Sequence, residues 1–294
     1  MSASSFPVTR FAPSPTGRLH LGHVAATLFS RRAAGPEGRF LLRLEDIDPQ
    51  RCREAFASGI TEDLAWLGFR WEEPVWRQSQ RMTHYKATLD SLTSRGLLYP
   101  CFCTRADIQR EIADSAHAPH QAPDGSRVYP GTCRTLSSDA AAARIAAGET
   151  YVLRLDMERS RAAAGHDLFW HERGAGRIPC HPEAFGDIVL ARRDVPASYH
   201  LCVTHDDAAQ GVTLVTRGTD LRPVTAVHRL LQTLMGWPEP EYLFHPLVCD
   251  ETGRRLSKRD GALTVQSMRE NGICPEQVIR AADEALARSD RDQP

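Results

Sequence analysis

The feature that most constrains this chain is the run from Val8 to Leu67. There a short β-prone strand leads into a Pro/Gly turn, then a helix, a second strand and a second helix. Val8 to Phe11 is apolar and ends at Pro13-Ser14-Pro15-Thr16-Gly17, a sequence that neither a strand nor a helix tolerates in its interior. A helix is expected from about His20 to Ala34, and a buried strand from Gly38 to Leu44 that closes on the acidic run Glu45-Asp46-Ile47-Asp48. From Arg53 to Leu67 the apolar residues Phe56, Ile60, Leu64 and Leu67 recur at helical spacing. Strand, helix, strand, helix predicts an α/β fold with a parallel sheet, and such sheets bind ligands beyond the carboxyl ends of their strands.

The middle of the chain breaks this rhythm. From about Gly96 to Phe185 come Cys101-x-Cys103, the loop His117 to Gly131, an Ala-rich helix near Ala140 to Ala147 and several Gly/Pro turns, which together read as an inserted domain. Asp187 to Ala191, Tyr199 to Thr204 and Val212 to Thr216 are expected as strands, followed by a helix from about Pro223 to Met235, so the parallel sheet is expected to resume. The polar stretch Asp250 to Asp260, further helices and a charged tail complete the chain. The expected division is 1–95 and 186–245 for two halves of one catalytic domain, 96–185 for the insertion, and 246–294 for a polar loop with C-terminal helices.

Composition excludes several classes. A chain of 294 residues is long enough for two structural units without disulfide support. Charged residues make up 25% and hydrophobic ones 41%, ordinary values for a globular protein. No apolar run reaches the ~20 residues of a membrane helix, and Met1 to Arg10 has no apolar signal region. A cytoplasmic protein with no membrane partner is expected. The net charge of -1 argues against a DNA-coating protein and leaves room for a local basic patch. The eight cysteines are mostly scattered, and Cys101 and Cys103 are too close for an ordinary disulfide, which fits a reducing compartment with one metal site.

Two separated motifs point to nucleotide chemistry. His20 and His23, three apart at a helix start, share a face with the free N–H groups and positive dipole end that attract a triphosphate. Gly22 between them lets a flat base approach the backbone. Downstream, Arg255-Leu256-Ser257-Lys258-Arg259 sits in a polar loop, where Lys258 can meet the charge of a transferring phosphate.

Arg10-Phe11-Ala12-Pro13-Ser14-Pro15-Thr16-Gly17-Arg18-Leu19-His20-Leu21-Gly22-His23 resembles the HIGH signature of class I aminoacyl-tRNA synthetases in its glutamyl form, with Leu21 in place of isoleucine. Arg255 to Arg259 resembles their KMSKS signature, with Arg255 for the first lysine and Arg259 for the final serine. The resemblance covers Arg10 to about residue 275. It implies a Rossmann-type class I synthetase catalytic domain, with His20, His23 and Lys258 catalytic, and Gly22 and Ser257 joining them in holding ATP with its Mg²⁺. Leu42 to Asp48 resembles the acidic segment whose first carboxylate receives the amino group of glutamate, which implicates Glu45. Tyr199, Arg217, Arg10 and the run Phe11, Ala12, Pro13 and Ser14 complete the glutamate site that the resemblance implies.

Cys101, Cys103 and Cys133 suggest a tetrahedral structural zinc site. The chemistry alone leaves the fourth ligand open between His117, His120 and Tyr129. Cys-x-Cys followed by Tyr-x-x-x-Cys resembles the zinc site of the short glutamyl-Q tRNA(Asp) synthetases, which favours Tyr129. Little chain follows Arg259, so a large anticodon-reading region is not expected. The implied partners are ATP, L-glutamate and queuosine-containing tRNA(Asp), acting on a monomer. The rival readings are a truncated glutamyl-tRNA synthetase charging a 3′ end, and a non-catalytic nucleotide- or RNA-binding relative.

Overall fold

The computed structural model describes residues 6–114, 121–192, 195–248 and 263–291. In chain order the strands are β1 (Val8–Phe11), β2 (Arg39–Leu44), β3 (Glu72–Arg77), β4 (Leu98–Cys101), β5 (Val152–Leu155), β6 (Phe169–Glu172), β7 (Gly176–Pro179), β8 (Val189–Arg192), β9 (Leu214–Gly218) and β10 (Glu241–His245). The helices are α1 (Leu21–Ala34), α2 (Glu54–Trp66), α3 (Met82–Ser94), α4 (Arg105–Asp114), α5 (Ser138–Ala146), α6 (Met157–Ala164), α7 (Tyr199–Ala209), α8 (Thr225–Met235), α9 (Val265–Glu270) and α10 (Pro275–Arg291). None of the described helices is long and apolar enough to cross a membrane.

Strands β3, β2 and β1 form one parallel sheet, and β6, β10 and β9 a second, with β7 antiparallel at its edge. The two lie side by side. The Thr213 amide, just before β9, donates to the Val8 carbonyl at 3.0 Å, and the Val8 amide donates to Thr213 Oγ1 at 2.9 Å. The chain thus builds outward from β1 to β3, then returns to lay β9 beside β1. The crevice between them is where an open α/β sheet binds ligands.

Alternation along β2 sets the two faces of the sheet. Phe40, Leu42 and Leu44 pack with Val24, Leu28, Ile60 and Leu64 under α1 and α2. Leu41 points the other way, into the core that holds Tyr85, Leu89, Leu201 and Leu230 of α3, α7 and α8. Arg43 shares that opposite face and is wholly buried.

The first four elements lie where the sequence places them. Tyr199 to Thr204 differs: it is the start of helix α7, not a strand. Ser198 caps the helix by accepting from the Leu201 amide, and the segment is β-prone only because α7 is buried on most of its circumference. The strand expected at Asp187 to Ala191 is present as β8, but it pairs antiparallel with β5 rather than resuming the parallel sheet. Strands β3 and β10 carry no clear sequence signal; β3 holds Pro74 and two glutamates and sits at a sheet edge.

Strands β4, β5 and β8 form a separate antiparallel sheet. Its fastening point is Asp187, whose fully buried carboxylate accepts from the Tyr99 hydroxyl, from Arg134 at 2.7 Å and from the Met157 amide at 3.0 Å. Asp187→Ala is expected to lower stability by about 2–3 kcal/mol, because it leaves a buried amide and hydroxyl without an acceptor. Urea unfolding of both proteins measures this, and a loss under about 0.5 kcal/mol would contradict it.

Candidate active site

The crevice between β1 and β9 opens into a cavity of about 730 Å³. Arg10, Phe11, Ala12, His20, Gly22, His23, Glu45, Tyr199 and Arg217 all line it. Nine of the residues singled out in the sequence therefore meet in one place. Pro13 instead anchors the turn from below, its carbonyl accepting from the Glu45 amide at 3.0 Å, and Ser14 faces an adjoining cavity. Ser257 and Lys258 lie outside the described residues. The described residues on either side of them reach the site: Leu247 and Val248 line the cavity, and Thr264 pairs with His20 while the Val265 amide donates to the Leu19 carbonyl at 2.8 Å.

His20 is the N-cap of α1, and the His20 amide donates to Nδ1 of His23 at 3.2 Å. The two rings lie 3.8 Å apart between centroids. A Cβ on Gly22 would stand 3.1 Å from the His20 ring, a tight contact that would make the imidazole shift by a few tenths of an ångström. Gly218 is tighter still, because a Cβ there would come within 2.6 Å of the Asp220 carboxylate and force it to move. The cavity thus has the positive end of α1 with its two imidazoles on one wall.

Arg10 and Glu45 of this lining belong to a buried charge network whose other members, Arg43 and Asp207, local sequence signals missed. Arg10 donates through Nε to Asp207 Oδ1 at 2.9 Å and through Nη2 to Oδ2 at 3.3 Å, while its Nη1 reaches the Thr216 carbonyl at 2.8 Å. Arg43 donates to the same Asp207 at 2.8 Å and to Glu45 at 3.4 Å. Burial would raise the Asp207 carboxyl, but Arg10 and Arg43 outweigh it and hold the group below its ordinary range. At Glu45 the balance is reversed: burial pushes the carboxyl up, and Arg43 and Arg10 recover only part of the shift. The fork of Arg10 is thus largely taken by Asp207.

Arg217 is the contrast. Its Nη1 donates to Nδ1 of His228 at 2.9 Å and its Nη2 to the Thr225 hydroxyl. Its Nε is buried without a hydrogen-bond partner, and among the described residues no carboxylate pairs with it. An unneutralised guanidinium facing a cavity is a site for an anion.

Glu45 and Tyr199 also line a second cavity of about 600 Å³, which reaches Asp48, Arg51, Arg154, Arg192 and His200 near the antiparallel sheet. Beyond it, the thiol sulfurs of Cys101, Cys103 and Cys133 lie within 4.8 Å of one another. Cys103 Sγ is 3.5 Å from Cys133 Sγ and 3.3 Å from the Tyr129 hydroxyl. Tetrahedral zinc with its usual bonds to sulfur needs sulfurs about 3.8 Å apart, so the three thiols fit a metal ion with little movement. Tyr129 adjoins the cluster and accepts from the Cys133 amide at 2.8 Å. His117 and His120 lie outside the described residues.

Residues 8–285 match the family described as tRNA synthetases class I (E and Q), catalytic domain. The chain is 44% identical over 282 residues to a glutamyl-Q tRNA(Asp) synthetase of Rhodobacter capsulatus, a match covering 93% of this chain and 98% of that protein. It is 38% identical over 272 residues to a glutamate–tRNA ligase of Hydrogenobaculum sp., covering 92% of this chain and 56% of the ligase. Among solved structures, a glutamate tRNA ligase from Elizabethkingia meningosepticum in complex with its amino acid superposes with a TM-score of 0.70 at 28% identity. That match covers 87% of this chain and 53% of the ligase, so this chain spans about half its length.

The cysteine cluster yields a direct expectation: purified protein carries about one zinc per chain, with Tyr129 as fourth ligand. In chelator competition Tyr129→Phe should release the metal at least about tenfold more readily, while His117→Ala and His120→Ala retain it. A histidine variant that loses zinc while Tyr129→Phe keeps it would overturn the assignment.

Proposed function

The chain belongs to the class I tRNA synthetases (E and Q), and on that premise we propose that it activates L-glutamate with ATP and transfers it to queuosine in tRNA(Asp). The observation that carries this reading is the pairing of charges in one cavity. Glu45 is a buried carboxylate with incomplete compensation, and Arg217 is a guanidinium with no carboxylate partner among the described residues. A ligand with an ammonium at one end and a carboxylate at the other completes both.

In the first step the α-carboxylate oxygen of glutamate attacks the α-phosphorus of ATP. The bond to the bridging oxygen breaks and pyrophosphate leaves with the electron pair. Glu45 holds the ammonium, Arg217 the side-chain carboxylate, and Tyr199 closes the cavity beside them. His20, His23 and the N-terminus of α1 stabilise the phosphates, with Gly22 leaving room for the nucleotide. Lys258 and Ser257 act from the segment whose ends are tied to the same cavity. Mg²⁺ bound with the nucleotide would neutralise part of the phosphate charge. In the second step a hydroxyl of the queuosine cyclopentene ring attacks the glutamyl carbonyl. AMP departs and its phosphate takes up the proton, so positioning suffices without a dedicated base.

Three observations support queuosine as acceptor. The match to the Rhodobacter protein runs nearly the whole length of that relative. The Cys-x-Cys and Tyr-x-x-x-Cys pattern forms one cluster. The second cavity meets the first at Glu45 and Tyr199, which gives a bulky nucleoside a way to the activated carbonyl. Zinc in the cluster would tie β4 to the turn Thr132–Thr135 and so shape that side. The resemblance to glutamate–tRNA ligases favours the rival, transfer to a 3′ end.

Radiolabelled glutamate, ATP and tRNA(Asp) with or without queuosine separate these readings. Label should appear only with the queuosine-containing tRNA and remain with the anticodon fragment after nuclease digestion. Label on the terminal adenosine, or equal labelling of both tRNAs, would reject queuosine as acceptor.

A further inference from the structure

We propose that His228, held in turn by His200, is a positioning residue that fixes the Arg217 guanidinium for the substrate's side-chain carboxylate and so sets the preference for glutamate over glutamine. The inference rests on the glutamate reading above and adds a residue pair that no motif singles out.

Arginine only donates, so His228 Nδ1, 2.9 Å from Arg217 Nη1, must accept. The ring proton of a neutral His228 then sits on Nε2. That atom lies 3.2 Å from His200 Nδ1, which must accept in its turn. The chain Arg217 to His228 to His200 therefore has one direction and one tautomer at each ring. A protonated His228 would turn an N–H against the guanidinium, and the surroundings prevent this: burial first, then Arg217, hold His228 far below its ordinary range. Burial likewise lowers His200 to about 4.

The rest of the Arg217 cage is sparse. Thr225 takes Nη2, and the Tyr242 and Phe244 rings flank the guanidinium at 5.2 and 5.7 Å. Two polar contacts thus fix the plane of the group, while its charge is left for the ligand. Glutamate and glutamine are nearly the same shape. They differ in one charge and in whether the second terminal atom accepts or donates. A guanidinium held in one plane presents only N–H donors and rejects the amide, whose NH₂ would meet a donor. A guanidinium free to swing can turn toward the amide oxygen alone. His228 supplies the lock, and His200 fixes His228 in the tautomer that can accept.

Pyrophosphate exchange with glutamate and with glutamine tests this in wild type, His228→Leu, His228→Gln and Thr225→Val. His228→Leu should raise KM for glutamate about tenfold or more, leave kcat within about threefold and KM for ATP unchanged, and reduce the glutamate-over-glutamine ratio about tenfold. His228→Gln should stay within about threefold of wild type, because its amide offers the same acceptor toward Arg217 and donor toward His200. Thr225→Val, which leaves the histidines untouched, should shift the same two quantities in the same direction. Wild-type KM and ratio in His228→Leu would overturn the inference while the glutamate reading stands. So would His228→Gln as impaired as His228→Leu, or a parallel rise in KM for ATP. Absence of glutamate-dependent exchange in the wild type would overturn both.

Discussion

The Asp207 carboxylate is the interaction on which the site depends. Alternation in β1 and β2 sends Arg10 and Arg43 to the same face of the sheet, and both meet Asp207 of α7, at 2.9 and 2.8 Å. Arg43 is fully buried and continues to Glu45 at 3.4 Å. Two guanidinium groups could not be buried side by side without such a carboxylate, since an uncompensated interior charge costs several kcal/mol. The network locks two strand ends to one helix. It also delivers Tyr199, about two turns earlier in α7, to the cavity wall.

The network decides which charges remain for a ligand. Arg10 is paired within the protein, and its role in the cavity is chiefly to hold Asp207 and the Thr216 carbonyl in place. Arg217, on the next strand, has polar neighbours but no counter-charge among the described residues. Glu45 shares Arg43 with Asp207, and its burial is only partly offset. The cavity that both residues line therefore offers a charge to an anion and a charge to an ammonium. The N-terminus of α1, with His20 and His23, lines the same cavity and adds the positive end of the helix dipole to it.

Much of this was legible in the sequence, for reasons that also mark the limits. The strand, turn, helix and strand from Val8 to Leu44 follow from local chemistry: prolines end β1, and a short, continuously buried run closed by acidic residues defines β2. His20 came from its place at a helix start, Glu45, Tyr199 and Arg217 from motif resemblance, and the fold gathers them into one cavity. Tyr199 to Thr204 read as a strand because a helix buried on most sides shows no helical period. Asp207, Arg43 and His228 gave no usable signal, because their roles lie in pairings across 164 residues (Arg43 with Asp207) or between a strand and a helix (Arg217 with His228). The one hint was the adjacent pair Asp206-Asp207 a few residues after the apolar Leu201, Cys202 and Val203. Asp206 proves to be structural, accepting from Tyr85 at 2.7 Å and Arg81 at 3.0 Å.

The central claim is that opposite charges lining one cavity recognise a zwitterion with an extra carboxylate. Isothermal titration calorimetry of glutamate and of ATP against wild type and Glu45→Gln tests it most directly. Removing the charge that faces the ammonium should weaken glutamate binding about 10- to 100-fold, with ATP affinity unchanged, because a neutral amide keeps a hydrogen bond but loses the charge assistance. Unchanged glutamate affinity in Glu45→Gln would contradict the account.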